Sequence, residues 1–324
     1  MSTYFISDVH GRYEVFIKLL EAIKFSKNDK LIILGDIIDK GDKSIKMIKF
    51  VRNQSNIQMI LGNHEYEFLN EYHNLMQNFK DGDDVNLILT KLQNHFPNET
   101  EKLDWDDIDY LDNLPYYIET DKYICVHAGL EIDLNGNILP LDKTDINYFL
   151  FDRTLKSESC YPKTNKTILF GHTPCCYDKS SGRFIKTLRQ ANLETNCFKN
   201  YLKVRLDTGV HYTLLLGALR LEDMCEFYMY DGTFVLFYED NKKFTCPNDN
   251  ALRVHVGDTV TWHNLTTNNI CRMKIIREQK NEISFEEINE NAELAQKSLY
   301  HKIGDIVNVC YFQYKIINIE TNKF

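Results

Sequence analysis

The chain reads as an α/β protein of α+β-like character, in which helices lie against a mixed or parallel sheet and an antiparallel β section follows. Three observations predict this. Short apolar runs at 3–7, 31–34 and 57–61 alternate with two stretches of helical period. Further apolar runs at 123–129 and 166–174 stop abruptly at glycine and polar residues. From about residue 201 the chain turns to alternating, hairpin-like segments.

Taken in order, "TYFIS" at 3–7 is a short strand ending at "DVHG". Residues 12–25 place Val15, Phe16, Leu19, Leu20 and Ile23 at helical spacing. The strand at 31–34 leads to "KSIKMIKFVRN", a second helix, and "IQMIL" at 57–61 is a strand that stops at "GNHE". Residues 66–114 are helical in period and rich in acids and asparagine, so a helical insert is expected. After 201, Asp231-Gly232 is a turn signal between two strand-like runs. The polar stretch 241–250, which contains Pro247, reads as a linker. It divides the chain into a large domain, 1–245, and a small β module, 246–324.

Composition narrows the class. The 324 residues are 43% hydrophobic and 26% charged, ordinary for a globular protein. A net charge of −9 argues against strong nucleic-acid binding, which needs a basic surface. The nine cysteines are scattered and form no C-x-x-C pair; they read as reduced thiols, and adjacent Cys175 and Cys176 lack a second pair for zinc. The N-terminus has no basic segment before an apolar core, and no apolar run approaches about 18 residues. No membrane association is expected, and the cytoplasm is the expected location.

Chemistry concentrates where the strands end. The clusters are Asp8 with His10, Asp36 with Asp39, Asn63 with His64, then His127 and His172. Each follows an apolar run and lies beside a glycine: Gly11, Gly35, Gly62, Gly129 or Gly171. Ligands of α/β folds collect outside the carboxyl ends of strands, so the clusters should converge. Asp8 and His10, two residues apart, would share one side of an extended segment. Buried together, such groups are costly unless cations accompany them. Mixed carboxylate, imidazole and amide donors suit a divalent transition metal, and the donors are too many for one ion.

These segments, "SDVHG", "GDIIDKG", "GNHE", "HAG" and "GHTP", match in order and spacing the motifs of a known family. Over about residues 3–238 the chain resembles the calcineurin-like metallophosphoesterases, within them the phosphoprotein phosphatase superfamily. The likeness is nearest to short bacterial and lambda-phage type phosphatases and to symmetrical diadenosine tetraphosphate hydrolases. It implies a four-layer β-sandwich flanked by helices. It implies that Asp8, His10 and Asp36 hold one divalent ion, and that Asp36 bridges to a second held by Asn63, His127 and His172. Manganese is expected first, with iron, zinc or cobalt as alternatives. His64 would be the general acid, oriented by Asp39. Arg153, preceded two positions earlier by Phe151, would grip phosphate. The implied reaction is in-line attack by a metal-bridging hydroxide, with a phosphorylated protein or another phosphoester as substrate. Serine/threonine protein phosphatase is the first expectation and symmetrical dinucleoside polyphosphate hydrolase the second. A regulatory protein acting through its C-terminal module is the third.

The chain departs from the pattern in places. Lys40 stands where the family has arginine, which keeps charge near phosphate but loses the bidentate fork. Leu61 replaces an arginine common in the protein-phosphatase branch, whereas Glu65 after the histidine leans back towards that branch. His73 and His95 fall on the helical insert and read as surface residues; His211, His255, His263 and His301 lie outside the motifs. "LDTG" at 206–209 reads as support for the site. Residues 246–324 resemble the C-terminal β domain of Gre-type transcription factors, so a protein partner for that module is expected.

Overall fold

The structure is a computed structural model that describes residues 1–80, 84–157, 160, 162–174, 189–191, 202–213, 215–223, 225–230, 233–238, 258–265, 270–275, 294, 297–299, 301, 304–309 and 312–320. Asp231-Gly232, the 241–250 linker, Cys175, Cys176 and His255 lie outside the described residues.

The first sheet is built around β1 (Thr3–Ile6), which pairs in parallel with β2 (Lys30–Ile33); β2 pairs in parallel with β3 (Ile57–Met59). The links are α1 (Tyr13–Ala22) and α2 (Ser44–Arg52), as their helical spacing predicts. The insert folds as α3 (Asn63–Gln77), α4 (Asn86–Gln93) and α5 (Trp105–Asp112). Its first helix begins inside "GNHE" rather than at residue 66. The start of α5 is set by a reciprocal cap: Asp104 Oδ1 accepts the Asp107 N–H and Asp107 Oδ2 accepts the Asp104 N–H, each at 3.0 Å.

A second sheet holds β4 (Tyr117–Glu119), β5 (Tyr123–Val126), β6 (Thr167–Phe170), β7 (Arg189–Ala191) and β8 (Leu202–Arg205), in the order β4-β5-β6-β8-β7. β5, β6 and β8 run parallel. Between β5 and β6 lies α6 (Ile146–Phe151); α7 (Val210–Thr213) follows β8. The chain then returns to the first sheet through β9 (Leu215–Arg220), β10 (Cys225–Tyr230) and β11 (Thr233–Tyr238), an antiparallel meander in which β9 pairs with β1.

The period-two alternation of each strand sorts its side chains into layers. Tyr4, Ile6, Leu31 and Ile33 join Phe16, Leu19, Ile48 and Phe68 of the helices. Phe5, Ile32 and Leu34 face the other way and meet Cys125, Leu169 and Val204 of the second sheet. Ile124, Val126, Ile168 and Phe170 face outward onto Phe149 of α6. Helices, sheet, sheet and helix form four layers, the arrangement expected from the sequence.

The last strands are β12 (Thr259–Asn264), β13 (Ile270–Ile275), β14 (Ile306–Val309) and β15 (Phe312–Glu320). They continue the first sheet, whose order among the described residues is β14-β15-β12-β13-β11-β10-β9-β1-β2-β3. β13 pairs with β11, and Trp262, Tyr314 and Ile316 share the inter-sheet core with Phe5 and Ile32. The division at 245/246 remains an expectation, but strands from beyond it hydrogen-bond into the catalytic sheet. Among the described residues no helix is long and apolar enough to cross a membrane.

Candidate metal centre

β1, β2, β5, β6 and β8 all deliver their C-terminal ends to one edge of the two sheets, and the polar clusters meet there. Two tight backbone approaches allow it. Gly35, at φ +84°, lies where a Cβ would stand 2.5 Å from the Gly62 Cα; a Cβ on Gly62 would stand 2.2 Å from Asp36 Oδ1. Asp8, His10, Asp36 and His172 adopt left-handed backbone, φ 54°, 49°, 57° and 62°. Asp8 and His10 therefore do not share a side by extended alternation, as their spacing suggested; a coiled turn brings them together.

Asp36 is central. Its Oδ2 lies 3.8 Å from His10 Nε2, 3.5 Å from His127 Nε2 and 4.0 Å from His64 Nε2. Asp8 Oδ1 is 4.0 Å from His10 Nε2, while Asp8 Oδ2 accepts the Ser7 hydroxyl and, at 3.0 Å, the His172 N–H. Asn63 Oδ1 sits 3.0 Å from His127 Nε2 and 2.9 Å from His172 Nδ1. The ligand atoms fall into two mutually close sets, His10–Asp36–His64 and Asp36–His127–His172. Asp36 is common to both, as a bridging residue must be. The first set contains His64, expected as the acid, rather than Asp8.

The donor chemistry fits divalent cations. His10 Nδ1 faces the Ile38 carbonyl at 3.0 Å and His127 Nδ1 faces the Leu34 carbonyl at 2.7 Å. A carbonyl only accepts, so both Nδ1 atoms carry the proton and both Nε2 atoms are lone pairs. Burial, with help from the Lys40 charge, lowers the His10 pKa to about 3. Burial and the neighbouring His172 hold His127 well below the usual range, and burial with Arg153 lowers His172 to about 4. These are neutral imidazoles, ready as ligands. The buried acids behave oppositely. Burial and the nearby carboxylates of Asp207 and Asp36 push Asp8 well above the usual range, and burial pushes Asp36 up as well. Lone pairs of His127 and oxygens of Asn63, Asp36 and Asp8 point at one another, and a positive ion between them resolves that conflict.

The proton-transfer residues lie beside this set. His64 Nδ1 is 2.6 Å from Asp39 Oδ2. Burial alone would raise the Asp39 pKa, but bonds to His64 and His95 outweigh it and hold the carboxyl well below its ordinary range. Lys40 Nζ donates to His10 Nε2 at 2.9 Å, so it faces the centre through the lone pair that a metal would use. Arg153 is exposed at the rim, where its Nη1 donates to Thr173 Oγ1 at 3.2 Å.

Two residues, His95 and Glu65, come forward that their sequence positions did not mark as part of the site, and Asp207 gives a specific place to the support expected of "LDTG". His95 Nε2 lies 2.9 Å from Asp39 Oδ1, so the carboxylate is held between two imidazoles. His95 is a surface residue and a neighbour of the centre at once. Glu65 is fully buried and accepts the N–H groups of Asp36, Ile37, Ile38 and Gly62 at 2.8 to 3.2 Å, which locks the loop that carries Asp36. Asp207, in the "LDTG" strand end, is buried beside Asp8 and Asp36, accepts the Gly209 N–H at 2.7 Å and has its pKa pushed by burial to about 6.

The layered fold and the carboxylate–imidazole centre define a metallophosphoesterase. The family profile of calcineurin-like phosphoesterases matches residues 1–191, and the chain belongs to that family. Its members are metal-dependent phosphoester hydrolases with dinuclear divalent-metal sites. A symmetrical bis(5'-nucleosyl)-tetraphosphatase of Actinobacillus succinogenes is 33% identical over 137 residues, 41% of this chain and 46% of that protein. One of Buchnera aphidicola subsp. Baizongia pistaciae is 30% identical over 237 residues, 68% of this chain and 71% of that protein. The chain thus spans about half the length of the first relative. A solved structure provisionally described as a diadenosine tetraphosphatase superposes with a TM-score of 0.50 at 19% identity, covering 70% of this chain and 92% of that one, a likeness of fold. No comparison supports a Gre-type C-terminal module.

Proposed function

We propose that this protein hydrolyses dinucleoside polyphosphates, cutting a dinucleoside tetraphosphate symmetrically, with water, into two nucleoside diphosphates. The observation that carries the hydrolytic reading is Asp36, whose carboxylate faces both ligand sets at 3.5 to 4.0 Å. The substrate reading rests on relatives that bear the tetraphosphatase name. This reverses the sequence-based order, in which protein phosphatase came first. Leu61 agrees: it is buried in the helix-side core and offers phosphate no charge.

Asp8, His10 and Asp36 would hold one divalent ion, and Asp36, Asn63, His127 and His172 the other. When bound, such ions acidify a water and neutralise phosphate oxygens. The chain supplies the rest. Arg153 presents a planar fork at the rim to orient phosphate oxygens. Asp39 keeps the proton of His64 on Nδ1 in the neutral ring, so Nε2 faces the centre. When the ring is protonated, Nε2 delivers its proton to the departing diphosphate oxygen.

Purified protein supplied with manganese should convert diadenosine tetraphosphate to ADP faster than it releases phosphate from a phosphoserine peptide. The reverse ranking would restore the protein-phosphatase reading. Asp36→Ala and His172→Ala should each abolish hydrolysis of 4-nitrophenyl phosphate, and full activity in either would remove that residue from the metal set.

A further inference from the structure

We propose that Arg12 and His211 form an anion subsite that holds a non-reacting phosphate group of an oligophosphate. The proposal rests on the polyphosphate reading and extends it. Arg12 hangs from a loop that builds the centre, and His211 from the short helix that follows another. Arg12 follows the His10–Gly11 turn, and His211 lies in α7, just beyond Asp207.

Arg12 Nη2 lies 3.4 Å from His211 Nδ1. An arginine only donates, so Nδ1 is the acceptor and the ring proton sits on Nε2. Burial, then the charges of Arg12 and Lys40, lower the His211 pKa and keep the ring neutral. The pair thus presents one full charge and a free N–H donor. Arg12 Nε is buried and has no hydrogen-bond partner, and among the described residues no carboxylate pairs with the guanidinium. A half-buried arginine without a counter-charge is costly, and phosphate oxygens match its fork.

Lys40 ties this pair to the centre. Its ammonium touches His10 and is close enough to His211 to depress that pKa as well. Arg153, Lys40 and Lys156 all lie within electrostatic reach of His172, and of these Lys40 also reaches His211, whose Nδ1 faces Arg12. A monophosphate ester has one phosphoryl group, which the centre itself would take. A polyphosphate has others, and cations set apart from the acids suit them.

The test compares three ligands on manganese-loaded protein: diadenosine tetraphosphate and 4-nitrophenyl phosphate as substrates, and inorganic tripolyphosphate as inhibitor of the latter. Arg12→Ala should raise KM for the tetraphosphate, and the inhibition constant of tripolyphosphate, about tenfold more than it raises KM for 4-nitrophenyl phosphate. Arg12→Lys should fall between, and His211→Ala should move the same two constants in the same direction. Equal shifts for all three ligands, or no shift in any, overturn the proposal. Should Arg12→Ala fail to fold, Arg12→Lys and His211→Ala carry the comparison. If wild-type protein cleaves 4-nitrophenyl phosphate but not the tetraphosphate, the substrate reading fails, and the tripolyphosphate arm decides the subsite by itself.

Discussion

Asp39 is a carboxylate with both oxygens engaged by imidazoles: Oδ2 with His64 at 2.6 Å and Oδ1 with His95 at 2.9 Å. Its backbone is left-handed, φ +66°, as are those of Asp8, His10, Asp36, Lys40 and His172. Such conformations cost about 1–3 kcal/mol each in non-glycine residues and persist where the surroundings enforce them. If His64 is the acid, His64→Asn should slow esters with poor leaving groups about 10²-fold or more, while good leaving groups are spared. His95→Gln should act in the same direction by about tenfold, because it frees one oxygen of the carboxylate that orients His64. Equal losses on both kinds of ester would remove both residues from proton delivery. The pair also predicts a pH window. The Asp39 bond raises the His95 pKa, so its stabilising effect is complete below the unfolded value and fades as pH rises through the folded one. The Asp39 pKa is depressed, so its effect is present above the unfolded carboxyl value and fades in acid. The Tm difference between wild type and His95→Gln should therefore peak at about pH 5–6 and vanish in alkali. A difference that grows above pH 8 would contradict the pairing.

At the scale of elements, the β2–α2 loop is held by α3. Glu65 satisfies four backbone N–H groups, among them those of Asp36, Ile37 and Ile38. Glu65→Ala leaves these donors buried without acceptors, at a cost on the order of 3 kcal/mol or more. Urea unfolding should show that loss, and a shift below about 1 kcal/mol would mean that the loop holds its shape by other contacts. The elements themselves were largely legible in the sequence. Tyr4, Phe5 and Ile6 alternate between two cores, and Phe16, Leu19 and Leu20 repeat at helical spacing, so local pattern suffices to place β1 and α1. The short strand β4 and the early start of α3 escaped notice. Neither carries a long periodic run, and both are fixed by partners: β4 by β5, and the N-terminus of α3 by Glu65 reaching back to Gly62.

At the scale of the whole molecule, the C-terminal strands complete the sheet. Trp262 is fully buried in the inter-sheet core, and its Nε1 donates to Ser298 Oγ at 2.8 Å. Trp262→Ala should cost about 3–5 kcal/mol by opening a cavity there. Removal of residues 246–324 should lower Tm sharply, since it strips Val260, Trp262 and Ile316 from the core that covers Phe5 and Ile32. A truncated protein as stable as the full chain would show that the module is separate after all. Divalent metal should act on the same scale. At 100 times its dissociation constant, an ion that binds only the folded state adds about 2.7 kcal/mol, so manganese should raise Tm and a chelator lower it. No change in Tm with either would argue against a metal at the Asp36 centre.

The sequence by itself pointed to the family through motifs at the ends of short, glycine-bounded strands, and the six residues expected as metal ligands followed from that resemblance; such signals are local. The tertiary structure decided what local pattern cannot carry. It set His95 against Asp39 across 56 positions of sequence, placed Arg12 beside His211 across 199, and joined the C-terminal strands to the catalytic sheet. Periodicity records which face of an element is apolar. Which distant side chain meets a given carboxylate depends on how the elements pack, and only the folded chain specifies that.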